Sequence, residues 1–233
     1  MFSGVFQTPF DDVDVERSSL TFAFDHSKRK RIDSDQGRYT CSWSISSDGR
    51  WCIAFGPEEH ADGCRAFGIH DGTIRYSITV ERPTECWIAN TGDAVVVDAG
   101  SIRNTESRIL FVTPETETVN EAVVSVSTNI GSAAISPNGR FGAFTTVGPE
   151  KTVHLYDLDT DDERAQFVPE DGTRHLVSFD DSGDECYLYD AQRDTLVCAI
   201  DIDGNRTWTH PRFKKTVPVF TRAVERIKKR IGA

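Results

Sequence analysis

Long hydrophobic runs are missing from this 233-residue chain. No apolar stretch approaches the roughly 18 residues that a membrane-spanning helix needs. The hydrophobic 38% is nevertheless enough to bury one full core. The first residues, "MFSGVFQTPFDD", carry no basic n-region and no long apolar h-region, so they do not read as a signal peptide, and the expected compartment is cytoplasmic. The six cysteines (Cys41, Cys52, Cys64, Cys86, Cys186 and Cys198) contain no C-x-x-C pair and no finger spacing, which argues against a thiolate metal site. G-x-S-x-G, a Gly-rich phosphate loop and H-E-x-x-H are all lacking, so the common hydrolase, nucleotide and zincin chemistries have no motif here.

Lysine is scarce as well, 7 against 19 arginines, while 37 acidic residues face 26 basic ones. The net charge of −11 on a lysine-poor surface resembles the composition of proteins from salt-loving organisms. The charge is uneven. Nine basic residues and the single acid Glu225 lie from Arg206 to the end, so this segment carries +8 and residues 1–205 carry −19.

What the chain does have is a repeat. "SISSDGRWCIAFG", "IANTGDAVVVDAG", "AISPNGRFGAFTT" and "SFDDSGDECYLYD" superimpose on Gly49, Gly92, Gly139 and Gly183, which lie 43, 47 and 44 residues apart. Each glycine closes a tight turn between two apolar, β-branched or aromatic runs, as a hairpin requires. Downstream, each unit offers a third strand, a polar turn rich in Asp, Thr and Gly, and a fourth strand. Four strands in about 44 residues is the period of propeller blades, because one such sheet cannot bury both faces alone.

The hairpin "SPNGRFGAF" followed by "VHLYDLDT" resembles the WD40-like repeat of TolB-type β-propellers, and "VCAIDIDGNRTWTH" resembles the repeat of quinoprotein-type propellers. The resemblance spans about residues 39–210 and implies the fold. The Trp-Asp dipeptide of true WD40 blades is missing, with Tyr156-Asp157 its nearest echo, and no quinone-binding pattern is present, so no cofactor is expected. "MFSGVF", "SLTFAFDHS" and "KRKRIDS" read as second, third and fourth strands of a further unit, and "KTVPVF" (Lys215–Phe220) as its lone partner from the other end. The expected fold is therefore all-β, a propeller of five blades with one composite blade closed by both chain ends. Its span is 1–218, followed by a basic amphipathic helix over 219–233. In that helix Phe220, Val224, Ile227 and Ile231 line one face.

Between "CYLY" and "TLVC" the turn is expected near Gln192, which sets Tyr189 opposite Thr195 and Cys186 opposite Cys198, both thiols free. The loop "GPEEHADGC" gathers Glu58, His60 and Asp62, a donor set that could hold a divalent metal and otherwise reads as a solvated acidic loop. "KRKR" (Lys28–Arg31) reads as a solvated turn. The functional expectation is a non-enzymatic, protein-binding scaffold or accessory subunit. It would engage another protein through a propeller face or the stripe Phe220, Val224, Ile227 and Ile231, in preference to nucleic acid. The alternative is an enzyme or small-ligand binder, for example of carbohydrate, with its site at the mouth of the propeller channel. Converging carboxylates or histidines would favour the enzyme, and an apolar patch the scaffold.

Overall fold

Tight glycine turns and short β-branched runs leave the chain one way to pair its backbone, as consecutive hairpins. The computed structural model describes residues 30–34, 37–60, 62–100, 106–114, 119–148, 151–169, 175–193 and 195–210. Seventeen antiparallel strands are found among them. The first blade is β2 (Gly37–Ile45), β3 (Trp51–Pro57), β4 (Cys64–His70) and β5 (Thr73–Val80), with β1 (Lys30–Ser34) added beside β2. The second is β6 (Pro83–Ile88), β7 (Ala94–Asp98), β8 (Ser107–Pro114) and β9 (Val119–Val126). The third is β10 (Asn129–Ile135), β11 (Phe141–Val147), β12 (Val153–Asp157) and β13 (Asp162–Phe167). The fourth is β14 (His175–Phe179), β15 (Glu185–Asp190), β16 (Thr195–Asp201) and β17 (Arg206–Thr209). Within each blade the strands are lettered a to d in chain order.

The architecture is the expected β-propeller of four-stranded blades, packed face to face in chain order. Ile53, Tyr76 and Ile78 meet Cys86, Val96 and Leu110 between the first and second blades. Val95, Ile109 and Phe111 meet Ala133 and Phe144 between the second and third. Phe141, Ala143 and Leu155 meet Val177, Leu188 and Ile200 between the third and fourth. A further cluster of Ile32, Tyr39, Cys41, Cys52, Phe67 and Ile69 lies on the other side of the first blade. Burying these aliphatic and aromatic faces is what drives the stack.

Glycine permits the close approach of sheets. A Cβ at Gly68 would collide with the Tyr76 ring, whose buried hydroxyl donates to the Gly92 carbonyl across the blade interface at 2.9 Å. The four turn glycines, Gly49, Gly92, Gly139 and Gly183, have φ of 74, 95, 77 and 79°, the left-handed region their spacing predicted.

Two expectations are corrected. "KRIDS" does not form the fourth strand of a separate unit, because it hydrogen-bonds to β2, Ile32 opposite Tyr39 and Ser34 opposite Gly37. Ile32 is thereby fully buried against the first blade. The β15–β16 register also differs: Cys186 faces Ile200, Leu188 faces Cys198 and Tyr189 faces Leu196. Asp190 closes the turn one residue later than expected by accepting the Gln192 N–H at 2.9 Å, and a bulge between Leu188 and Tyr189 adds a second step. Neither thiol is in a disulfide, and both are buried in one cluster. The remaining terminal strands, on which the fifth composite blade rests, and the helix over 219–233 lie outside the described residues.

Candidate functional site

The site grows from the a–b turns. In the first blade the Ser46 hydroxyl donates to Asp48 Oδ1 at 2.6 Å and accepts the Trp51 N–H at 3.0 Å, while Asp48 Oδ1 accepts the Arg50 N–H at 3.0 Å. The third blade repeats this with Ser136, Asn138, Arg140 and Phe141 at 2.6, 3.1 and 2.8 Å. Such side-chain locks define the turn independently of packing. The turns are then tied to one another. Asn90 Oδ1 accepts from the Ser47 hydroxyl and the Asp48 N–H, both at 3.0 Å. The Asn90 N–H donates to the Pro137 carbonyl at 2.9 Å, and Asn138 Nδ2 to the Ser182 carbonyl at 3.4 Å. A hydrogen-bonded collar thus runs through all four a–b turns.

Inside the collar the ends of the a strands converge on a cavity of about 230 Å³, lined by Ile45, Ser47, Trp87, Ile88, Ala134, Ile135, Pro137, Val177, Ser178 and Phe179. This is the mouth of the channel. None of those lining side chains is a carboxylate, an imidazole or a cation. Trp87 is 44% exposed, and its indole N–H donates to Glu85 Oε1 at 2.7 Å. The a–b and c–d turns share this end of the propeller, and among the described residues they carry Asp48, Asp93, Asp180, Asp181, Asp184, Asp71, Asp159, Asp161 and Asp203 against Arg50 and Arg140. An apolar cavity therefore opens on an acidic face.

Three fully buried carboxylates at strand ends hold the blades in shape. Asp98 accepts the N–H groups of Arg82 (2.8 Å), Gly100 (3.0 Å) and Glu81 (3.1 Å) and the Arg108 guanidinium (2.5 Å). Burial alone would raise its pKa, and those donors reverse the effect and hold it below the usual carboxylate range. Asp157 is likewise depressed, its burial outweighed by the Arg140 and Arg164 guanidinium groups at 3.1 and 2.6 Å. Asp190 caps its own turn, its pKa lowered first by the Gln192 N–H. Sequence reasoning passed over all three. The signal was an Asp ending an apolar strand, visible at "VVVDAG", "VHLYD" and "YLYD".

The loop residues expected to hold a metal lie at the opposite end. Glu58 turns back onto the strands, bridging Tyr39 and donating its backbone N–H to the Gly63 carbonyl at 2.8 Å, while His60 and Asp62 are exposed. Among the described residues no three His, Cys, Asp or Glu side chains group to hold a metal ion. No helix among them is long and apolar enough to cross a membrane. Phe220, Val224, Ile227 and Ile231 lie outside the described residues.

No protein-family model matches the sequence, and no curated protein matches it significantly. Among solved structures, the chain is similar to the β-propeller domain of Cps50 (Swd1) from Myceliophteria thermophila, with 10% identity, a TM-score of 0.47, and coverage of 76% of this chain and 64% of that one. It is also similar to Hsv2 from Kluyvelomyces marxianus, with 11% identity, a TM-score of 0.45, and coverage of 80% and 60%. The chain spans less than two thirds of the length of each.

Proposed function

We propose that this propeller is a protein-binding scaffold or accessory subunit whose docking face is the mouth of its channel. One observation carries the reading: the a strands of four blades converge on an apolar cavity with a half-exposed tryptophan, held open by the turn collar. Apolar area that water leaves on docking supplies affinity, and a pre-set rim lowers the ordering cost. The surrounding aspartates repel phosphate, which supports protein over nucleic acid as the partner. The cavity offers the Ser47 and Ser178 hydroxyls but no general base beside them, so binding is supported better than hydrolysis. The stripe of Phe220, Val224, Ile227 and Ile231 would give the same partner a second contact, and the acidic, lysine-poor composition suits a salt-rich cytosol.

The test compares full-length wild type with Trp87→Asp and Val123→Asp, the latter altering an equally exposed apolar residue on the outer strand β9. A partner captured by wild type and Val123→Asp but lost from Trp87→Asp, with all three melting alike, is the expected result. Retention by Trp87→Asp would overturn the docking face.

A further inference from the structure

We infer that the channel mouth recognises a cationic side chain, an arginine or lysine presented by a protein segment with aliphatic neighbours, seated on Trp87 beside Glu85. The inference rests on the docking role proposed above and names the chemistry of the partner. An exposed tryptophan alone would accept any apolar group. The second observation is the carboxylate beside it: Glu85 Oε1 takes the indole N–H at 2.7 Å. That bond occupies the polar edge of the ring and adds electron density to the π-system, while the carboxylate brings negative charge to the same spot. Indole faces attract cations, and guanidinium more often than ammonium. Ile45, Ile88 and Pro137 supply apolar walls for the stem of such a side chain.

The wider field agrees. Asp48, Asp93, Asp180 and Asp184 stand on the turns around the opening, opposed by Arg50 and Arg140, and both arginines already have carboxylate partners, Asp71 for Arg50 and Asp157 and Asp159 for Arg140. β1 brings Lys30 and Arg31 alongside Cys41 and Thr40, several residues below the rim. A segment carrying an anion would meet repulsion at the collar and find no cation among the cavity's lining side chains. One carrying an isolated charge without apolar neighbours would leave the aliphatic walls unfilled.

The probes are three blocked tripeptides, Ac-Ile-Arg-Ile-NH2 and its Gln and Glu counterparts. They are titrated into full-length protein while the Trp87 indole N–H resonance is followed, assigned by its loss in Trp87→Phe. The Arg peptide is expected to bind roughly tenfold tighter than the Gln peptide and the Glu peptide weakest, the combined size of a partly exposed cation–π contact and an exposed ion pair. Glu85→Gln should bring Arg and Gln peptides to within about twofold of each other while both still shift Trp87, because the apolar walls remain. Equal affinity of Arg and Gln peptides in wild type would overturn the cationic preference and leave the docking face standing. Failure of every peptide to shift Trp87, with residues 219–233 present and with them deleted, would overturn both. If the Arg peptide binds only after residues 219–233 are deleted, the occupant is the chain's own basic tail, and the assignment to a partner is wrong.

Discussion

Replacing Asp98 by Asn tests whether the buried aspartates are structural keystones. Asp98 is fully buried and its two oxygens divide four donors: Oδ1 serves Arg82 and Gly100, and Oδ2 serves Glu81 and Arg108. In Asp98→Asn one oxygen stays an acceptor and the other becomes an NH2 aimed at two donors. Losing the Glu81 N–H bond to a charged acceptor costs about 1.5 kcal/mol. Losing the Arg108 contact costs about 1 kcal/mol, since that guanidinium is 35% exposed and screened. The two remaining bonds weaken by about 0.5 kcal/mol each on becoming neutral. The sum is about 3.5 kcal/mol, which for a chain of this length lowers Tm by about 10 °C. Arg108→Ala should cost only about 1 kcal/mol, because the three backbone donors keep their carboxylate. Circular dichroism melts of the three proteins read both values. The pH dependence gives an independent check. The folded-state pKa of Asp98 is depressed, so its contribution is full above the unfolded carboxylate value of about 4 and is lost as pH falls through the lower folded value. The gap between wild type and Asp98→Asn must therefore narrow below about pH 4. An Arg108→Ala variant as damaged as Asp98→Asn, or a gap that does not change with pH, would refute the reasoning.

Tyr76→Phe leaves the Gly92 carbonyl without its donor between the first two blades and is expected to cost about 1–2 kcal/mol in urea unfolding; a loss below 0.5 kcal/mol would mean water replaces the hydroxyl. Native alkylation with iodoacetamide followed by mass spectrometry should modify Cys64 alone of the six cysteines, the other five being buried, and slowly at neutral pH because burial raises its pKa. Modification of Cys41, whose pKa is pushed up to about 12, before Cys64 would contradict the packing. Raising KCl from about 0.1 to 2 M screens the repulsion of a net −11 and should raise Tm, and a fall would end the salt-adapted reading.

The blade repeat was legible because its markers are local: a glycine at positive φ after Asp, Thr, Asn or Ser, between apolar runs, needs no tertiary information. The channel mouth was half legible. Ile45, Ile88, Ile135 and Phe179 occupy equivalent ends of the a strands, each four residues before its turn glycine, and a propeller brings equivalent positions together around its axis, but the pairing of the indole of the preceding Trp87 with Glu85 depends on rotamers that spacing does not encode. The Cys186–Cys198 register was lost in two steps, a turn that closes one residue later at Asp190 and a bulge that shifts every pair beyond it, and the bulge leaves no trace in the residue pattern of "TLVCAI". "KRIDS" was misplaced for a related reason. Alternation gives Ile32 an inward face but not the sheet it joins, and Tyr39, Cys41 and Phe67 decide that. The buried aspartates look like surface charge until the donors around them are known.

The collar has a mechanical consequence. Its bonds run from Asp48 through Asn90 and Pro137 to Asn138 and Ser182, so the blades are riveted together at one end as the ribs of a fan are. Separating any two neighbours there means breaking a rivet as well as an apolar interface. Thermal splaying should then begin at the far end, where the loops after β3 and β7 lie, and travel along the strands towards the collar, last between the third and fourth blades, where the Thr145 hydroxyl donates to the His175 carbonyl at 3.0 Å. Hydrogen exchange would record this as a gradient along every blade, slow amides by the turns and fast ones away from them, instead of as a ranking of one blade above another.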